Sequence, residues 1–199
     1  MQEEFIREDG TPLKISLAAV DSSDNTARVY EIVARYPPSK MVAIKGRARN
    51  TTIFSTPKKV DTDSDGRRVA PTLLYSIGTD ILKSELFGRL ALSRTPYGTY
   101  PSGYCHFPQS YPIEYFKGLD SEKLDVTKNR FGHFNYNWVK TYRRNEPLDC
   151  RNYARAAAAI LGYDHWAERD FEAIERFNIL GDQANKPAKK PKNTSEFWG

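Results

Sequence analysis

Leu13-Lys14-Ile15-Ser16-Leu17-Ala18-Ala19-Val20-Asp21 decides the fold of this chain. Leu13, Ile15 and Leu17 alternate with polar residues and merge into Ala18-Ala19-Val20, the pattern of a buried strand that stops at Asp21. After the polar Ser22-Ser23-Asp24-Asn25, residues Thr26 to Arg35 carry Val29, Ile32 and Val33 at helical spacing, and Pro37-Pro38 ends the helix. Met41-Val42-Ala43-Ile44 is a second short buried strand. Strand, helix and strand in this order imply a parallel pair joined by a right-handed crossover, and so an α/β fold. Ligand sites in such sheets lie at the carboxyl ends of strands, where Asp21 and Lys45 both sit.

Working outward, residues 46–70 are polar, basic and turn-rich, a long loop or a surface hairpin. Leu73 to Ile77 reads as another strand, and Thr79-Asp80 caps a helix with Ile81, Leu82, Leu86 and Leu90 on one side. A Gly/Pro/Tyr-rich connection leads from Ser93 to Tyr104-Cys105-His106-Phe107, read as a strand. Tyr111 to Leu119 is a short amphipathic segment, and Val126 to Lys140 fits a hairpin that includes Phe134 to Val139. A helix runs from Glu146 to Leu161 and ends at Gly162, and a second runs from about Asp164 to Leu180. From Gly181 the composition turns to Lys, Pro, Asn and Ser, which reads as a flexible tail. The expected organisation is one domain over 1–180 and a tail over 181–199.

Composition narrows the function classes. At 199 residues, 39% hydrophobic and 13% aromatic, the chain builds one core and is not largely disordered. It contains no apolar run of about 18 residues, and the acidic start Met1-Gln2-Glu3-Glu4 does not read as a secretory signal. Two cysteines and three histidines show neither a disulfide framework nor zinc-ligand spacing, and a reducing compartment fits. The net charge of +5 is gathered into clusters: Lys45-Gly46-Arg47-Ala48-Arg49, Lys58-Lys59, Arg67-Arg68, and Lys140 to Arg144. With Tyr36, Tyr136, Trp138 and Tyr142 near them in sequence, these cations suit the phosphates of a nucleic acid.

Arg143-Arg144-Asn145-Glu146-Pro147-Leu148-Asp149-Cys150 carries the chemistry. Glu146 and Asp149 lie three residues apart on the first turn of a helix and share a face, a hard oxygen-rich corner of the kind a divalent metal needs. The same residues also suit a plain helix start: Asn145 as N-cap, Pro147 in the first turn, and acids against the helix dipole. Asp21 is open in the same way, as a metal ligand or as the cap of the turn after its strand. Asp61-Thr62-Asp63-Ser64-Asp65-Gly66 looks like the start of a calcium loop, but Thr72 stands at the twelfth position and Asp65-Gly66 is more simply a hairpin turn. Neither a G-x-x-x-x-G-K-[ST] phosphate loop nor a G-x-S-x-G elbow is present.

Five stretches in order resemble the C-terminal nuclease domain of phage terminase large subunits of the lambda-like type. They are Leu17 to Ser22, Ala43 to Gly46, Ile77 to Asp80 with Lys83, Gly103 to Pro108, and Arg143 to Cys150; the likeness runs from about residue 12 to 162. The resemblance implies a ribonuclease-H-like mixed sheet flanked by helices, incomplete at its N-terminal edge, because the family carries another aspartate on an earlier strand. It also implies an endonuclease that cuts concatemeric double-stranded DNA during viral genome packaging in the host cytoplasm, with Mg2+ or Mn2+ in a two-metal site. Asp21 matches the family's second acidic position, Glu146 matches the acid on the final helix, and Asp149 is adjacent to it. Lys45, Arg47, Arg49, Arg143 and Arg144 are the expected phosphate contacts. Expected partners are DNA, the ATPase motor domain, the small subunit and the phage portal or procapsid, with no membrane. With one acid and the motor domain outside the chain, the alternative is a catalytically incomplete module that binds DNA or the portal through its basic face or the tail ending Glu196-Phe197-Trp198-Gly199.

Overall fold

The computed structural model describes residues 5–7, 9–10, 12–63 and 65–184, with side chains through Arg176. The chain divides into two units, Met1–Ile15 with His165–Gly199, and Ser16–Asp164. The smaller unit begins with an antiparallel pair, β1 (Phe5–Ile6) and β2 (Pro12–Leu13), in which Phe5 lies opposite Leu13. Leu13 therefore does not belong to the strand that ends at Asp21. The expected strand from Leu13 to Val20 is two pieces, because its first residues pair with a different partner.

The larger unit is a mixed four-stranded sheet with helices on both faces. β3 (Ala18–Asp21), α1 (Thr26–Val33) and β4 (Met41–Arg47) form the expected crossover, with Ala18 opposite Met41 and Asp21 opposite Ile44 in parallel register. β5 (Lys58–Thr62) folds back antiparallel onto β6 (Arg68–Gly78), and β6 runs parallel to β4, giving the order β3-β4-β6-β5. The calcium-like run is the turn of this hairpin: the Asp63 carboxylate accepts the N–H groups of Asp65 and Arg67. α2 (Thr79–Leu90) follows β6 directly. After it come α3 (Ile113–Leu119), the antiparallel ribbon β7 (Glu122–Lys128) and β8 (Phe134–Lys140), and α4 (Glu146–Ile160).

Strand alternation sorts the core. Ala18, Val20, Met41 and Ala43 pack with Tyr30 and Val33 of α1. Leu17, Ala19, Val42 and Ile44 face the other way, against Leu82 of α2 and Ala156 and Ala157 of α4. Small alanines along α4 let its backbone come close to the sheet, and each fully buried Ile or Leu contributes about 1.5–3 kcal/mol. A third cluster joins Leu86, Leu119 and Leu148, with Cys105 and Phe107 packed against it. Arg155 ties α4 to α2 through Glu85 at 2.9 Å and to the turn after α4 through Asp164 at 2.8 Å.

Two local expectations change. Tyr104 to Phe107 forms no strand; the segment is a loop whose rings pack on one another and on α3, so burial is reached without a hydrogen-bond ladder. The N-cap position of α2 is Gly78 and no side chain caps it; Asp80 instead accepts the backbone N–H of Arg49 at 2.9 Å. In the smaller unit α5 spans Glu168–Ala184, past the Gly181 at which the tail was expected to start; residues 185–199 of that tail lie outside the described residues. Among the described residues no helix is long and apolar enough to cross a membrane.

Candidate functional site

Asp21 is the last residue of β3. The alternation that sends Leu17 and Ala19 toward α4 sends Asp21 there too. Its position is fixed from below, because the buried Ser22 places both its N–H and its hydroxyl on the Ile44 carbonyl at 2.9 Å. One Asp21 oxygen accepts the Ser23 N–H at 3.0 Å, so the turn-capping role exists. The other accepts the hydroxyl of Tyr153 at 3.2 Å, a contact spanning 132 residues of sequence.

Tyr153 lies one helical turn beyond Asp149 on the same face of α4. Burial first, then the charges of Asp21 and Asp149, push its phenol well above the ordinary tyrosine range, so it stays neutral and donates. A glycine at position 46 leaves room for this group: a Cβ there would stand 3.1 Å from the Tyr153 hydroxyl and 3.0 Å from the Thr79 methyl.

Asp149 is half-buried. Burial raises its carboxyl above the usual range; Lys83 opposes this, Glu122 and Asp21 add to it, and Lys140 opposes it. The Asn145 amide donates to it at 2.8 Å. Asn145 thus sits at the N-cap position of α4, but its side chain serves Asp149 rather than the helix end. Lys83 and Glu122 form an ion pair at 2.6 Å, with only 12% and 10% of their side chains exposed. The structure therefore brings Asp21, Asp149 and Tyr153 together beside a satisfied Lys83–Glu122 pair.

Glu146 stands apart from this group. It is exposed on the first turn of α4 and pairs with Arg144 at 3.4 Å, and its carboxyl lies below the usual range through backbone hydrogen bonding, then Arg144 and Lys140. Among the described residues no group of three His, Cys, Asp or Glu side chains is close enough to hold a metal ion. Of the expected phosphate contacts, Arg143 and Arg144 are exposed just before α4. Lys45 shares the strand end with Asp21 but not the face, since the alternation of β4 turns it toward α1. Arg47 is exposed at the end of β4; Arg49 is exposed too and adopts φ +60°, with its N–H held by Asp80.

Tyr153 and Glu122 were not singled out in the sequence, and Lys83 was quoted there without a role. Tyr153 left a signal, its four-residue spacing from Asp149. The Lys83–Glu122 pair left none, because it joins residues 39 apart whose meeting depends on how α2 and the ribbon pack.

The geometry defines an α/β protein in which a strand-end carboxylate, Asp21, meets a helix carboxylate, Asp149, with exposed arginines just before that helix. Residues 1–170 match the family described as "Terminase large subunit gpA, endonuclease domain". The chain is 31% identical over 163 residues to the terminase large subunit of Escherichia phage lambda, covering 78% of this chain and 24% of that protein. It is 27% identical over 165 residues to the terminase large subunit of Enterobacteria phage P21, covering 80% and 24%. The chain spans about a quarter of the length of these relatives. No solved structure matches. The chain belongs to the family of terminase large subunit endonuclease domains.

Proposed function

We propose that this chain is the metal-dependent endonuclease domain of a viral DNA-packaging terminase, with a ribonuclease-H-like sheet, acting on concatemeric double-stranded DNA in the host cytoplasm. The observation that carries the reading is the meeting of Asp21 and Asp149 around one neutral phenol, in a chain of this family. Two carboxylates oriented by Tyr153 and Asn145 offer the oxygen donors that Mg2+ and Mn2+ prefer. The charge on Asp149 is disfavoured by burial and by Asp21 and Glu122, and a cation relieves that cost. Asp21 and Asp149 are the holding residues, with Glu146 a further oxygen donor at the exposed rim. When bound, such an ion polarises a phosphodiester and lowers the pKa of a bound water. Tyr153 fixes Asp21, Asn145 fixes Asp149, and Arg143 and Arg144 position phosphates without reading bases. The motor ATPase domain, the small subunit and the portal are its partners in this reading.

A second reading, a DNA- or portal-binding module without catalysis of its own, draws on the exposed cations Arg143 and Arg144 just before α4. A Mn2+ titration with plasmid nicking separates the two. The nuclease reading expects nicking by the chain, lost in Asp21→Asn and in Glu146→Ala. Nicking at the parent's rate by an Asp21→Asn/Asp149→Asn double variant overturns it. DNA retention without any nicking favours the second reading.

A further inference from the structure

The ribbon of β7 and β8 has one apolar side that nothing among the described residues covers at its far end. Leu124 pairs with Trp138, Val126 with Tyr136 and Lys128 with Phe134, so these side chains share one face. Toward the tip that face is open: Val126 is 49% exposed, Phe134 58% and Tyr136 60%, and Phe131 in the turn is 70% exposed.

The ribbon is nonetheless anchored at its base, and its turn is closed by hydrogen bonds of its own. At its base Trp138 stacks on Phe87 with centroids 5.1 Å apart, and Glu122 is paired with Lys83. At its tip the Asn129 carboxamide accepts the N–H groups of Phe131 and His133, and the Asn129 N–H donates to the His133 carbonyl. A free two-stranded hairpin is marginal in water, so such a braced ribbon with bare rings calls for an occupant.

The charge says which occupant. Between Glu122 and Arg144 the chain carries six Lys and Arg against two acids, and one of those acids, Glu122, is already neutralised by Lys83. Lys128 and Arg130 lie over the rings of Phe134 and Phe131 at 5.7 Å and 4.6 Å, so the tip offers flat rings and positive charge at one place. A two-stranded ribbon fits the DNA major groove, and apolar wedges flanked by cations engage base steps and phosphates together. β8 ends at Lys140 and α4 begins at Glu146, so the base of the ribbon leads directly into the helix turn that carries Asp149.

We infer that β7 and β8 form a DNA-gripping arm whose tip, Lys128 to Phe134, enters a groove of the duplex and holds it beside Asp21 and Asp149. This deepens the nuclease reading and rests on it for the choice of duplex. The test is fluorescence anisotropy of the full chain with a labelled duplex in EDTA, where no cleavage occurs, across a KCl series. Phe131→Ala/Phe134→Ala is expected to weaken binding at least about fivefold. Lys128→Gln/Arg130→Gln is expected to flatten the slope of log affinity against log salt by about 2. Arg28→Gln, which removes an exposed cation on α1 instead, is expected to bind like the parent.

A parent that does not bind the duplex, or variants that both keep the parent's affinity and salt slope, overturns the arm. So does a parent that self-associates in sedimentation through this face, with the tip variants monomeric and still binding DNA. All substituted tip side chains are exposed, and matching thermal melts confirm that the variants fold. A chain that binds through the ribbon but never nicks with Mn2+ overturns the nuclease reading alone and leaves the arm standing.

Discussion

Tyr153 is the residue on which the site turns. Its hydroxyl holds one oxygen of Asp21, and its elevated pKa keeps it a donor at any working pH. Tyr153→Phe leaves that oxygen without its phenol, at a cost of about 0.5–1.5 kcal/mol, or roughly 1–5 °C in Tm. In the nuclease reading the same change weakens Mn2+ binding, measured by calorimetry, while leaving DNA affinity in EDTA unchanged; equal loss of both would assign the residue to general folding. Asp149 carries the opposite balance, since its charge is disfavoured where it stands. Asp149→Asn should therefore raise the Tm of the metal-free protein by a few degrees at most while removing Mn2+-dependent nicking, the stability–function exchange common at active sites.

At the scale of elements, the entry to α4 is set by its neighbour α3. A Cβ on Gly118 would stand 2.7 Å from the Pro147 ring, which cannot swing away, whereas Gly88 in α2 has nothing within 4 Å of the same position. Gly118→Ala should destabilise by about 1–3 kcal/mol through overpacking, and Gly88→Ala should stabilise by about 0.5–1 kcal/mol through helix propensity. Chemical denaturation of the pair reads both signs at once. Tyr115 on α3 gives the cluster a pH dependence: burial raises its phenol above the ordinary value near 10, with Tyr111 adding and Arg151 opposing. The native state then holds that proton more tightly than the unfolded chain, so the contribution is full below about pH 10 and is lost as pH climbs through the folded-state value. Tyr115→Phe should flatten the alkaline fall of Tm relative to the parent. Periodic elements such as α1 and β4 were legible because their patterns are local. Tyr104 to Phe107 misled because aromatic residues that suit a strand bury equally well as a ring-packed loop.

For the whole molecule, metal and fold should be linked. If Asp21 and Asp149 hold a divalent ion only when the sheet and α4 are assembled, Mn2+ at about a hundredfold its dissociation constant adds about 2.7 kcal/mol to stability. That shift, roughly 5–10 °C for a chain of this size, should vanish in Asp21→Asn, as differential scanning fluorimetry would show. The sequence by itself determined the parallel crossover, the family and the two segments bearing acids, because alternation, helical spacing and turn residues act within a few positions of the chain. It left Asp21, Glu146 and Asp149 as candidate ligands, because the family resemblance matches the first two and helical spacing puts Asp149 on the face of Glu146. Only the tertiary structure put Asp149 with Asp21, set Tyr153 between strand and helix, and sealed Lys83 against Glu122. Those choices depend on which face of α4 meets the sheet and how deeply each turn is buried, and long-range packing decides both.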